Sequence, residues 1–234
     1  MRSVSGGDPE VVVVGQLGGS RLPAMVERLA RRAGLGPVRV PSRREQVIGA
    51  FLAATGFEST RSSSREAVLV LTDSFLGLAV GDPGHHPDWT ASRPVTVAGL
   101  ARRARFGDPP SSSQLEAATS ATLRHLGSLE PPDFTRALLV SEMAPHVARL
   151  CGTEIDFESA DHALDRLGEP TGTATAPSEP SGLAQRQALA ATLVICKALS
   201  FRFDTPLELM VPDPARAWAL LSTSDSVEGP RRDN

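Results

Sequence analysis

The hydrophobic pattern is clearest near the start of the chain. Residues 11–14 are four consecutive valines, and an unbroken β-branched run is typical of a central parallel strand that is covered on both faces. Apolar residues then recur at helical spacing from Met25 to Ala30, and Gly34 ends that pattern. This stretch predicts a strand, a glycine turn and a helix.

Two further strand patterns follow. The segment "GPVRV" predicts a second strand, and Ser42 with Glu45 forms a capping box that starts a second helix, which ends at Gly56. The run "AVLVLTD" predicts a third buried strand with Asp73 at its carboxyl end. Three strands that alternate with two helices form the βαβαβ unit of a doubly wound sheet. We therefore predict an α/β fold with a Rossmann-like, doubly wound, mainly parallel sheet and additional helices in the C-terminal half.

The patterns in the C-terminal half are weaker. Asp133 predicts the start of a long helix that contains Leu138 and Leu139 and ends at Gly152. "LAQRQALAATLVICKALSF" predicts an apolar helix, buried within the domain or paired across a homodimer, and "PLELMV" predicts the strand after it. We predict one domain over residues 1–222, with a Rossmann-like half over about 9–100, a mobile loop at 169–181 and a disordered tail at 223–234.

Charge and missing residue types exclude several functional classes. The net charge of -3 gives no general attraction to nucleic acid or to an anionic membrane. No apolar run approaches the roughly 18 residues of a membrane span, and the N-terminus lacks a signal-peptide pattern, so we predict a cytoplasmic protein. Lys197 is the only lysine and the residue directly before it is not a glycine, which excludes a Walker loop. Cys151 and Cys196 are too far apart for a Cys-x-x-Cys zinc site, and we predict no metal site.

The glycine turn is the first candidate for a cofactor site. Gly15 occupies the first position of a dinucleotide fingerprint, but the second and third positions hold Leu17 and Ser20. A shifted loop would let Gly18 or Gly19 approach a phosphate instead, and the helix dipole would still favour an anion there.

A second candidate follows the second strand. Ser42, Arg43 and Arg44 lie where NAD enzymes usually carry an acidic residue. Two arginines at this place suit the 2′-phosphate of NADP, because a guanidinium pairs with phosphate in a bidentate manner. The alternative is that they are solvated residues in the first turn of a helix. The cofactor is left open between none, NADP and ATP.

The candidate catalytic residues are Asp73, His85 and His86. The histidines lie in "GDPGHHPDW", which follows the third strand and is expected at the carboxyl edge, where open α/β sheets bind ligands. An imidazole there could act as an acid or a base near neutral pH, and the alternative is an ordinary surface loop. Further along, "LARRARF" places arginines where a strand or a short helix leaves them in solvent.

One family resemblance draws these segments together. "VVVVGQLGGSRLPAMVERLARRAGLGPVRV" and the later "AVLVLTDSF" resemble the ThiF family, the bacterial relatives of ubiquitin-activating enzymes, and "QALAATLVICKAL" with "PLELMV" resembles that family's closing helix and strand. The resemblance implies a Rossmann fold with a nucleotide site. Active members carry an acidic residue where this chain has Ser42 or Arg43, and often zinc-binding cysteine pairs that it lacks. The resemblance therefore implies a degenerate member without adenylating activity.

These observations lead to one functional prediction and two alternatives. We predict that the chain binds a peptide substrate or a partner enzyme in a peptide or natural-product modification pathway, with no nucleic-acid or membrane partner. Whether it is itself an enzyme is left open. The first alternative is a small NADP-dependent oxidoreductase. The second is an active nucleotide- or metal-dependent enzyme that uses Asp73 with His85 and His86.

Overall fold

A computed structural model describes most of the chain. The described residues are 11–12, 28–29, 32–33, 38–39, 41–56, 64–169, 182–213, 216–217 and 219–220. The glycine turn at residues 15–20, the tail at 223–234 and nearly all of the loop predicted at 169–181 lie outside them.

Eight strands and six helices have their bounds within the described residues. The strands are β1 (Val11–Val12), β2 (Val38–Arg39), β3 (Glu66–Leu71), β4 (Leu76–Gly81), β5 (Trp89–Arg93), β6 (Arg136–Ser141), β7 (Glu154–Ile155) and β8 (Leu207–Met210). The helices are α1 (Arg43–Thr55), α2 (Val97–Ala104), α3 (Ser112–Leu126), α4 (Ala144–Cys151), α5 (Phe157–Gly168) and α6 (Leu183–Phe203). No helix among the described residues is both long enough and apolar enough to cross a bilayer.

The main sheet has six strands in the order β5-β4-β3-β6-β8-β7. Strand β3 is parallel to β6, and β6 is parallel to β8. The pairs β3–β4, β4–β5 and β7–β8 are antiparallel. Strands β1 and β2 form a separate two-stranded parallel sheet.

This mixed topology shows that the predicted Rossmann-like, mainly parallel sheet is wrong. The third predicted strand, β3, does not complete a βαβ unit, because it turns back at once into β4 and pairs with it from Leu71↔Leu76 to Glu66↔Gly81. The error has a physical cause. All six residues of each strand are buried, and antiparallel strands covered on both faces carry the same unbroken apolar run as parallel ones.

Helix α1 covers one face of the sheet and lies along β4. The side chains of Val47 and Phe51 pack against Gly77 and Gly81, and a Cβ atom added at Gly77 would lie 2.2 Å from Val47 Cγ2. The small residues of β4 therefore create the space that α1 occupies. As predicted, Ser42 and Glu45 form the capping box that begins α1.

The other face is covered by a layer of helices with α6 at its centre. Helix α6 is buried almost all round between Leu189 and Ser200, and its apolar side chains share one core with those of α2, α3 and α5. A helix that is apolar all round belongs in a protein interior. The apolar surface of the predicted late helix is thus buried within the chain.

Candidate functional site at the carboxyl-end rim

The parallel strands end together at one edge of the sheet, which we call the carboxyl-end rim. The registers Leu71↔Ser141 and Val140↔Met210 place the ends of β3, β6 and β8 at the same level. The turn 72–75 follows β3 and residues 142–143 follow β6. Two exposed carboxylates, those of Asp73 and Glu142, therefore lie just beyond adjacent strands.

The β3–β4 turn is closed by one buried hydroxyl. Thr72 Oγ1 accepts hydrogen bonds from the amides of Ser74 and Phe75 at 3.1 and 3.0 Å, and it donates to the Phe75 carbonyl at 3.0 Å. The Thr72 amide also donates to that carbonyl at 3.0 Å. Since Thr72 Oγ1 already satisfies these two amides, this turn differs from loops that hold a phosphate with free backbone N–H groups.

The end of β6 is closed in a similar way. Ser141 is buried, and its Oγ accepts a hydrogen bond from the Met143 amide at 3.2 Å. Helix α4 begins directly afterwards with Pro145 in its first turn and without a side-chain cap. The positive end of the α4 dipole therefore points towards the rim.

Arginines from α1 bring positive charge to the rim. Arg43 and Arg44 are exposed in the first turn of α1. In the same turn, the Glu45 amide donates to Ser42 Oγ at 3.2 Å, and the Ser42 amide donates to Glu45 Oε2 at 2.7 Å. The guanidinium carbon of Arg43 lies 5.7 Å from the centre of the Phe75 ring. The structure thus brings the predicted arginine site next to the turn that carries Asp73.

The first turn of α6 lies beside the same edge. The Gln185 side-chain amide donates to His146 Nε2, with 3.2 Å between the two nitrogens, and His146 lies in the first turn of α4. The His146 side chain is half-exposed and lies close to the rim.

The predicted histidine site lies elsewhere. His85 and His86 are exposed in the β4–β5 connection, where the His85 amide donates to Asp82 at 3.2 Å. Asp73 lies at the other end of β4, about 17–20 Å away for a strand of this length. The expected position of this loop at the carboxyl edge is wrong, because the hairpin reverses the chain direction. The structure does not bring Asp73 together with the two histidines.

The cofactor site predicted at the glycine turn, with Gly15, Gly18, Gly19 and Ser20, lies outside the described residues. In the described ranges, no group of three His, Cys, Asp or Glu side chains could hold a metal ion.

The two cysteines are not paired with each other. Cys151 is half-buried and Cys196 is fully buried. Burial raises the pKa of Cys151 to about 11 and raises the pKa of Cys196 further above its ordinary value. Both thiols therefore stay protonated near neutral pH and are poor nucleophiles.

Sequence reasoning missed the two rim hydroxyls. Thr72 follows the buried run of β3, and Ser141 ends the buried run of β6. The hydrophobic pattern indicates only a strand or a helix for these runs. A weak signal exists at Thr72, since a threonine or serine followed by a polar pair favours a hydroxyl-closed turn. No comparable signal marks Ser141, because β6 itself was predicted as helix.

The opposite edge of the sheet holds a cluster of paired charges, which we call the amino-end triad. Arg136 makes a bidentate pair with Glu208 at 2.7 and 2.5 Å and a further contact with Glu66 at 3.2 Å. The hydrogen bonds from Arg136 hold the pKa of Glu208 below its ordinary value, and those carboxylates raise the pKa of Arg136. The triad joins β3, β6 and β8.

Comparison with solved structures identifies the fold. A Ppx/GppA family member from Aquifex aeolicus is similar with a TM-score of 0.70 and 15% identity, over 90% of this chain and 72% of that one. This chain has the Ppx/GppA fold. An exopolyphosphatase-like protein is similar with a TM-score of 0.68 and 12% identity, over 97% of this chain and 78% of that one. An exopolyphosphatase from Cytophaga hutchinsonii is similar with a TM-score of 0.57 and 10% identity, over 92% of this chain and 74% of that one. No protein-family model and no curated protein matches the sequence.

These similarities correct the family and functional predictions. The similar structures belong to the Ppx/GppA family and this chain has a mixed sheet, so the ThiF resemblance is wrong. The predicted roles in peptide modification and as an NADP-dependent oxidoreductase are wrong with it, because the similar structures are of phosphatases. The resemblance misled because a buried strand followed by a glycine turn and a helix begins many α/β folds.

Proposed function

We propose that this chain is a phosphatase that removes terminal phosphate from a linear phosphoanhydride such as inorganic polyphosphate, and that the carboxyl-end rim binds the phosphates. The observation that carries the proposal is the position of Arg43 beside the 72–75 turn, in a chain with the Ppx/GppA fold. Guanidinium groups bind phosphate oxygens through paired, charge-assisted hydrogen bonds.

The rim carries the groups that such a hydrolysis needs. Arg43 and Arg44 would neutralise the phosphate oxygens, aided by the positive end of α4. A carboxylate, Asp73 or Glu142, would accept a proton from the attacking water. The water oxygen bonds to the terminal phosphorus, the bridging P–O bond breaks, and the shortened chain departs with the bond's electron pair. The products are orthophosphate and a chain that is one unit shorter.

A second function, binding of the phosphate chain without hydrolysis, is favoured by one observation. Thr72 Oγ1 holds the amides of Ser74 and Phe75, so these two donors do not help to stabilise charge on a transferring phosphoryl group. Binding through arginine side chains needs no such donors. This second candidate predicts affinity for polyphosphate without release of orthophosphate.

The test measures orthophosphate release and thermal stabilisation by tripolyphosphate and by long-chain polyphosphate. Replacement of Arg43 and Arg44 by Ala should raise KM, or Kd for a chain that only binds, about tenfold or more, the value of one charged hydrogen-bonding pair. The matched control replaces Arg124 and Arg149, two exposed arginines on α3 and α4, by Ala. This control should change KM and Kd little.

Each outcome has a clear reading. Orthophosphate release that depends on Arg43 and Arg44 supports the phosphatase. A ligand-dependent rise in Tm without release supports the second candidate, because a ligand that binds only the folded state stabilises it by mass action. The absence of both with either phosphate would overturn both candidates. ATP and NADPH, the two cofactors considered from the sequence, serve as competing ligands in the same assay.

A further inference from the structure

A cavity of about 430 Å³ opens at the end of α6, and we call it the α6-end cavity. One wall is the connection 130–134, which leads into β6, and the other is the last turn of α6 with Arg202 and Phe203. The parallel strands β6 and β8 begin on this side, so the cavity lies at the opposite end of the sheet from the carboxyl-end rim. Its volume is typical of small-molecule sites.

The connection 130–134 forms a stiff wall. Pro131 and Pro132 fix two backbone φ angles, and the second proline holds the first in an extended conformation. Leu129 anchors one side, because it is buried and its carbonyl accepts a hydrogen bond from Arg202 Nη2 at 2.8 Å. Phe134 anchors the other side by packing against the main core. A wall that is already ordered lowers the entropy cost of binding a ligand.

Two aromatic rings give the cavity an apolar surface. Phe134 and Phe203 pack edge to face, with 5.7 Å between the ring centres, and both line the cavity together with the two prolines. The guanidinium carbon of Arg202 lies 5.9 Å from the centre of the Phe203 ring. This surface suits the methylene groups of a ligand, and an aromatic face also attracts positive charge.

The charges around the cavity favour a cation. Glu130 and Asp133 line it and are exposed, and within the described ranges neither carboxylate has an ion-pair partner. Helix α6 ends here at Phe203, so the negative end of its dipole lies beside them. The guanidinium of Arg202 is already held by the Leu129 carbonyl. An anion would therefore meet two carboxylates and a negative helix end.

We propose that the α6-end cavity binds a linear aliphatic polyamine. Its ammonium groups pair with Glu130 and Asp133, and its methylene groups pack against Phe134, Phe203 and the prolines. The inference goes beyond the proposed function, since it uses none of the rim residues. A polyamine fits better than a metal ion, because no group of three ligating His, Cys, Asp or Glu side chains occurs in the described part of the chain.

The experiment titrates the full chain with spermidine in phosphate-free buffer and follows binding by calorimetry. The test variant is Glu130→Gln with Asp133→Asn. Its matched control is Glu116→Gln with Asp165→Asn, which removes two exposed carboxylates from α3 and α5. A third variant, Phe134→Leu, keeps an apolar side chain but removes the ring. Octanediol, an uncharged chain of similar length, and magnesium chloride at equal ionic strength serve as comparison ligands.

We expect the Glu130 and Asp133 double variant to bind spermidine about tenfold more weakly, as the loss of two exposed ion pairs predicts. Phe134→Leu should weaken binding about threefold, because one aromatic contact is lost. The control variant should bind spermidine as the wild type does, and octanediol and magnesium should bind more weakly. No binding of spermidine by the wild type, an equal loss in the control variant, or equal binding of magnesium or octanediol would each overturn the inference.

Discussion

Charged side chains at the two ends of the six-stranded sheet differ in how far they are buried. At the amino end, Arg136 lies between Glu66 and Glu208 and pairs with both. At the carboxyl-end rim, Asp73 lies in the turn after β3 and Arg43 lies in the first turn of α1, and both are exposed. Both ends contain arginines and carboxylates, and only their position relative to the strands differs.

This difference shows how position decides what a charge can do. Glu66 is within β3 and only 4% exposed, so its charge needs a partner to offset the cost of leaving water. The triad therefore stabilises the pairing of β3 with β6 and of β6 with β8. Asp73 and Glu142 follow β3 and β6 and are exposed, so a ligand can reach their side chains.

The largest expected effect comes from removing the centre of the triad. Arg136→Met should lower the free energy of unfolding by about 2–3 kcal/mol, because it leaves Glu66 buried without its partner. This is less than the full cost for a wholly buried pair, since the Arg136 side chain is 36% exposed and partly screened by water. Urea denaturation measures the loss, and phosphate binding at the rim should be unchanged.

The matched control for this prediction is Arg65→Met. Arg65 pairs with Asp88 at 2.6 Å, but the two side chains are 36% and 61% exposed. Its removal should cost less than about 1 kcal/mol, as for other surface pairs. Equal losses in both variants would contradict the distinction between the partly buried triad and an exposed surface pair.

The next effect tests how α1 is held against the sheet. Gly77→Ala places a Cβ atom 2.2 Å from Val47 Cγ2, and such overpacking should cost about 1–3 kcal/mol. Because α1 carries Arg43, the shift should also weaken phosphate binding at the rim. The added change Val47→Ala should restore part of the lost stability, which a double-mutant cycle measures. Gly182→Ala, where nothing lies within 4 Å of the new Cβ, is the control.

A smaller effect is expected at the 72–75 turn. Thr72→Val keeps the shape of the side chain but removes the acceptor for the amides of Ser74 and Phe75. We expect a loss of about 1–2 kcal/mol from the unsatisfied groups. Thr72→Ser retains the hydroxyl and should lose less. If the two variants were equally stable, the hydroxyl would not be what closes the turn.

The smallest effect is a change in the pH dependence of stability. The hydrogen bonds from Arg136 lower the pKa of Glu208, so the folded state holds this proton less tightly than the unfolded state. The pair's stabilisation is fully present above the ordinary glutamate pKa of about 4.3, and it is lost as the pH falls through the lower folded value. Glu208→Gln should flatten the stability curve in this acidic range, and Arg136→Met should do the same. Curves parallel to that of the wild type would contradict this.

Local signals in the sequence predicted several elements well. The capping box at Ser42 and Glu45 begins α1, and the apolar run after residue 182 forms α6. Each signal works at short range, because a cap needs only one turn of helix, and a long apolar run at helical length has few other structures open to it.

The prediction failed where a segment's partner decides its structure. Leu138 and Leu139 were predicted within a long helix that starts at Asp133, yet they belong to β6, which is buried on both faces between β3 and β8. A short, wholly apolar run has neither helical nor strand periodicity. The candidate site was predicted only in part for the same reason: Arg43 and Asp73 were both identified, but only the β3–β4 hairpin sends His85 and His86 to the opposite end of β4.

The amino-acid sequence by itself determined the capped start of α1, the buried character of β3 and α6, and the residue types available for binding a phosphate. Only the tertiary structure decided the direction of β4, the mixed strand order, and which charges became buried and which stayed exposed. The physical reason is that capping and apolar periodicity act within a few residues, whereas strand pairing and charge burial depend on residues far apart in the chain.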